Sequence, residues 1–82
     1  MEIMQVKAEM VTTRRVPGLK HASLRVLKTL KGGLLVATDP IGVPAGKWVF
    51  TSSGSAARFG MGDAEIQTDL TILGIIDYWE ES

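Results

Sequence analysis

Three serines, Ser52, Ser53 and Ser55, crowd into four positions, with Arg58 three residues further on. A serine nucleophile needs a base. The sole histidine, His21, follows Lys20 in a basic turn, and no carboxylate is placed in sequence to orient it. His21 reads as a solvated loop residue. A metal centre fares no better, because there is no cysteine to supply thiolate and one histidine is too few for an ordinary imidazole site. Gly54-Ser55-Ala56-Ala57-Arg58 invites comparison with loops that cradle phosphate at a helix N-terminus, yet it lacks both the P-loop lysine and the glycine spacing of a dinucleotide fingerprint. These residues predict no enzyme, no cofactor and no bound metal.

Arg58 has the most chemistry to offer. Its planar fork suits a fixed bidentate contact with a carboxylate or with backbone carbonyls. Asp69 and Asp77 are candidate partners, within the chain or across a boundary between copies, and plain solvation is the other outcome.

The elements around this stretch are short strands. Trp48-Val49-Phe50-Thr51 reads as a buried strand that stops at Ser52-Ser53-Gly54, with one turn of helix over Ser55-Ala56-Ala57-Arg58. Gly54 supplies the flexible reversal and Ser55 a capping hydroxyl. Residues 3–11 are β-prone and lead through Thr12-Thr13-Arg14-Arg15 to a Pro17-Gly18 turn. Residues 24–28 fit a strand with one wet edge, Lys31-Gly32-Gly33 a hairpin loop, and residues 34–38 the return strand. Pro40 and Pro44 keep the next segment in loop. Residues 59–68 read as loop with room for a short hairpin. The apolar run 70–79 does not alternate cleanly, which predicts a strand with one face on its own core and the other on something else. Five strands, glycine-rich turns and one helical turn predict an all-β fold, a small five-stranded OB-like barrel.

Eighty-two residues make a single domain, taken as 1–82. A domain this size buries only roughly 60% of its unfolded surface, so its own core is marginal. With disulfides and metals set aside, self-association is the economical source of further stability. Charge is divided along the chain. The first 47 residues carry eight Lys or Arg against three acids, and the remainder carries Arg58 against six acids, among them Glu80 and Glu81 beside Trp79. Opposite poles suit head-to-tail pairing of copies, although solvation of both faces explains them equally. No apolar run approaches the roughly 20 residues that span a bilayer, and no signal peptide is visible, so a cytoplasmic location is expected.

Gly54-Ser55-Ala56-Ala57-Arg58 also resembles the G-S-A-A-R signature of the vertex proteins of bacterial microcompartments, the EutN/CcmL family. Met1-Glu2-Ile3-Met4-Gln5-Val6, Asp39-Pro40-Ile41-Gly42-Val43-Pro44 and Thr68-Asp69-Leu70-Thr71-Ile72-Leu73-Gly74-Ile75-Ile76-Asp77 agree with it. The four blocks run in order over nearly the whole chain and look most like the B-like minor shell peptide of α-type carboxysomes. The resemblance implies an OB-like barrel whose loops and strand edges meet neighbouring subunits. It implies a homopentamer that caps the vertices of a polyhedral shell and seals it, with hexameric shell proteins as neighbours and CO2 fixation as the setting. Candidate subunit-interface or pore residues are Ser53, Gly54, Ser55, Ala56, Ala57, Arg58, Ile75 and Asp77. The alternative is single-stranded nucleic-acid binding, which needs a basic groove interleaved with stacking aromatics. Trp48 and Phe50 share an apolar strand and Trp79 sits among acids, so neither nucleic acid nor membrane is expected as a partner.

Overall fold

The computed structural model describes residues 1–63 and 65–79, so Glu80 and Glu81 lie outside the described residues. Five strands, β1 (Glu2–Met10), β2 (Leu24–Thr29), β3 (Leu34–Thr38), β4 (Trp48–Ser53) and β5 (Leu70–Ile75), close into a barrel in the order β1-β2-β3-β5-β4. One helix, α1 (Ser55–Gly60), follows β4, and a 3₁₀ turn at Pro17–Leu19 precedes β2. The all-β barrel with a short helix is the architecture expected. All contacts between neighbouring strands are antiparallel except β3–β5, whose parallel ladder has a single rung, Thr38↔Thr71.

Alternation along the strands builds the core. Met4, Val6, Leu27, Ala37, Val49 and Ile72 point inward and are fully buried, joined by Val43 from the loop after β3. Val49, not Trp48 or Phe50, enters the core; these two aromatics lie half-buried on the outer face of β4. Trp48 packs edge-on against Trp79 with ring centroids 5.0 Å apart, and Phe50 occupies the space over Gly74.

Two bulges explain why the outer strands broke simple periodicity. Register shifts between Val6 and Ala8 in β1, and between Ile72 and Gly74 in β5 where Thr51 and Phe50 oppose them, each leave one residue out of step. The extra residue in β5, Leu73, turns bulk onto the second face, and that face is covered by α1: a Cβ at Gly60 would lie 2.6 Å from Leu73. The second face of this strand therefore meets the chain's own helix. The strand itself is shorter than the apolar run, ending at Ile75. Ile76 then donates its amide to the Trp48 carbonyl at 2.8 Å, and the chain leaves the sheet.

Arg25 departs from the strand-with-a-wet-edge expectation. It is buried beneath the 40–46 loop, where its Nε donates to the Val43 carbonyl at 3.1 Å and lies 3.3 Å from the Asp39 carboxylate. That carboxylate accepts the amides of Ile41, Gly42 and Val43 at 2.8, 3.0 and 2.7 Å. Three amides and a guanidinium leave the buried charge well satisfied, as burial demands. The proline-flanked loop is thus a fixed turn that seats Val43 in the core.

Candidate assembly surface

The corner between β4 and α1 is built around Gly54, whose φ of 67° and ψ of −148° fall in a region open essentially to glycine alone. Its amide donates to the Asp69 carbonyl at 3.0 Å and its carbonyl accepts the Ala57 amide at 3.1 Å, which fixes the turn between β4 and the helix and ties it to the residue before β5. Gly54 itself is the N-cap. Ser55 is the first helical residue and no side-chain oxygen caps the helix, contrary to the expected capping role of Ser55. The helix also runs to Gly60, two residues beyond the single turn expected, because Phe59 and Gly60 continue it over β5. Residues 61–69 contain no strand among the described residues, so the short hairpin allowed for there is absent.

A hydroxyl ladder beneath the helix ties it down. Thr71 Oγ donates to the Ala57 carbonyl at 2.6 Å and lies 2.8 Å from Thr38 Oγ, which in turn is 3.1 Å from Thr68 Oγ. Thr38 and Thr71 are fully buried, and the ladder joins β3, β5 and α1 just where β3 and β5 share their single rung. Nothing in simple periodicity marks these threonines; their spacing only acquires meaning once the two strands are known to be adjacent.

Of the predicted site residues, Ala57 is fully buried and serves as the anchor of the helix. Ser53, Gly54, Ser55, Ala56 and Arg58 all lie exposed along the same corner, while Ile75 and Asp77 lie exposed at the far end of β5. The structure brings the first group together and leaves the second group apart from it. Arg58 forms no ion pair and no side-chain hydrogen bond among the described residues, with either Asp69 or Asp77. His21 is exposed. Among the described residues, no three His, Cys, Asp or Glu side chains converge as metal ligands would. A cleft of about 550 Å³ runs between the start of β1 and the β2–β3 turn and is lined by Met1, Glu2, Ile3, Thr29, Leu30 and Lys31.

Electrostatics at the surface are local. Lys20 donates to Asp63 at 2.7 Å and reaches Glu65 at 3.5 Å, clipping the 3₁₀ turn to the 61–69 loop. The Asp63 hydrogen bond raises the Lys20 pKa above its usual range, and the same bond holds the Asp63 carboxyl below its own.

The architecture is a closed five-stranded barrel with a glycine-turned helix at its corner. The chain belongs to the EutN/CcmL family, described as ethanolamine utilisation protein EutN/carboxysome, which it matches over residues 1–77. It is 65% identical over 79 residues to the carboxysome shell vertex protein CsoS4B of Halothiobacillus neapolitanus, covering 96% of this chain and 98% of that one. The solved structure of that CsoS4B superposes with a TM-score of 0.89 at 64% identity, over 95% of this chain and 100% of the other. The pentameric microcompartment shell protein GrpN from Rhodospirillum rubrum superposes with a TM-score of 0.85 at 28% identity, both chains fully covered.

Proposed function

We propose that this chain is a structural protein of the carboxysome shell, a vertex piece that acts as a homopentamer. The observation that carries the reading is the 65% identity, over nearly the full length of both chains, to a carboxysome shell vertex protein. A sheet of hexagonal tiles closes into a polyhedron only where fivefold points interrupt it. Five copies of a small barrel supply such a point, and the whole chain, residues 1–82, serves as one vertex domain. Hexameric shell proteins are the neighbours this role requires. The exposed Ser53–Ser55 turn, with Ala56 and Arg58, is assigned to contacts at the fivefold opening or at a subunit boundary. The role is one of closure and not of catalysis.

Purified protein should run as a pentamer by native mass measurement. Deleting it should leave facets and enclosed enzyme in place while the corners leak, so growth suffers at ambient CO2 and recovers when CO2 is abundant. Normal growth in air, with no second vertex protein to substitute, would sink the reading. A nucleic-acid binder would instead show salt-dependent affinity for single strands. The paired Trp48 and Trp79 and the seating of Phe50 over Gly74 take these rings out of a stacking platform.

A further inference from the structure

The barrel is closed along one seam by very little. Residues 34–37 of β3 pair with β2 on one side and, among the described residues, with no strand on the β5 side. Soluble proteins blunt such an edge with charge, proline or a covering element, because its free backbone groups and apolar side chains invite another chain. Here Leu34, Leu35 and Val36 are 62%, 43% and 46% exposed. A cleft of about 240 Å³ opens beside Leu35 and Val36, toward Ser53 and Leu70.

The parallel sense of the one rung fixes a second relationship. Leu34 stands four residues before Thr38, and Ile75 four residues after Thr71, so they extend from the rung in opposite directions. At about 3.3 Å per residue the two are roughly 26 Å apart along the strands. Beyond Ile75 lies Tyr78, 82% exposed. The two regions differ in sign as well as place. On the arm the exposed charges are Lys28 and Lys31, Arg25 being buried against Asp39, whereas residues 69–79 contain Asp69 and Asp77 and no base. Lys28, Lys31 and Asp77 are exposed and form no ion pair among the described residues. In a ring of identical subunits each copy presents two different, complementary surfaces. An apolar basic arm and an apolar acidic end, facing apart, meet that requirement.

We infer that the β2–β3 arm of one subunit docks on the 75–78 end of the next copy of the same chain, and that five such joints close the ring. Leu34 and Val36 cover Ile75 and Tyr78, while Lys28 and Lys31 face Asp77. The inference rests on the pentamer reading above and names the surfaces that reading leaves open.

The test uses the full chain and two variants altered only at exposed positions. Leu34→Asn with Val36→Asn spoils the arm, and Asp77→Lys spoils the end. Circular dichroism establishes that each folds; native mass spectrometry then reads assembly. Each variant alone should be monomeric. Mixed in equal amounts they should give heterodimers and nothing larger, since the pair retains one sound joint. Lys31→Asp combined with Asp77→Lys in one chain should recover pentamers that either change alone loses, and it serves as the readout if an asparagine variant misfolds. Pentamers from any single-surface variant, or folded variants that stay monomeric when mixed, would overturn the inference. A wild-type chain that is itself monomeric would instead bring down the vertex reading on which it rests, and the inference with it.

Discussion

Arg25 Nε lies 3.3 Å from Asp39 Oδ2, joining a strand to a loop 14 positions later in the chain, and the Asp39 side chain has no exposure at all. The pair does not stand alone. Glu9 brings a second carboxylate to 3.8 Å of the guanidinium from β1, and the Leu24 and Val43 carbonyls accept from it. An ion pair this deeply seated contributes little over a well-packed apolar substitute, but leaving either half behind is costly.

Asp39→Ala should therefore destabilise the fold by about 3–5 kcal/mol, since Arg25 and three loop amides lose their acceptor together. Asp39→Asn should cost less, because one amide oxygen still accepts from the loop. Urea unfolding at one fixed protein concentration checks both, the concentration being held because assembly adds to apparent stability. An Asp39→Ala protein as stable as wild type would show the clamp to be dispensable.

Gly74 answers to Phe50. A Cβ there would lie 2.5 Å from the ring, so the half-buried ring would have to move. Gly74→Ala should cost about 1–3 kcal/mol by overpacking. Phe50→Leu should recover part of that loss in the double variant, and a thermodynamic cycle over the four proteins measures how much.

Gly54→Ala separates backbone from crowding. Nothing lies within 4 Å of a Cβ at this position in the single chain, so the substitution acts there through conformation alone. The strain is on the order of 1–3 kcal/mol per subunit. Gly54→Val adds bulk that only a neighbouring copy can meet. If pentamer yield falls further for valine than for alanine while the unfolding of each monomer is matched, the turn lies against another subunit; equal yields would place it on the outer rim.

The Lys20–Asp63 clip carries a pH dependence of known sign. Asp63 has a folded pKa below its unfolded one, so its contribution is present above the ordinary carboxyl range and is lost as pH falls through the folded value. Lys20 has its pKa raised, so its contribution holds below the ordinary lysine range and disappears as pH rises through the folded value. Both groups are exposed and the effect is small. Lys20→Met should slightly lower the neutral plateau of the melting curve against pH and leave its acid end unchanged, so that the acid limb is shallower, as differential scanning calorimetry can read.

Most of the barrel was legible because strands alternate and turns carry glycine. The β3 bounds and the Gly32-Gly33 reversal follow directly from those two patterns. What local patterns could not carry was anything settled by distant partners. Arg25 sits in strand phase with Leu27, an inward position, and Asp39 precedes a proline and a glycine two positions further on, which is a turn signal with its own mechanism. Read together they would have suggested the clamp; read apart they looked like solvated charges. The helix starts at Ser55 as expected, yet Gly54 is its N-cap, so the Ser55 hydroxyl has no capping role. The assembly residues were visible as types, and their grouping was not. Among the described residues neither Arg58 nor Asp77 forms an ion pair or a side-chain hydrogen bond, and one sequence does not encode which face of a copy they would meet.

Closure by a single rung also bears on how the chain reaches its fold. Thr38 and Thr71 are separated by 33 residues, and β4 and α1 lie between them in the chain. β2 and β3 meet through the short connection 30–33, whereas joining β3 to β5 bears the loop-closure entropy of the whole intervening segment. That cost makes sealing the seam the step expected last in folding. Until it happens, β3 has a free edge along its full length, so a newly made chain is exposed to mispairing during the interval before its threonines find one another.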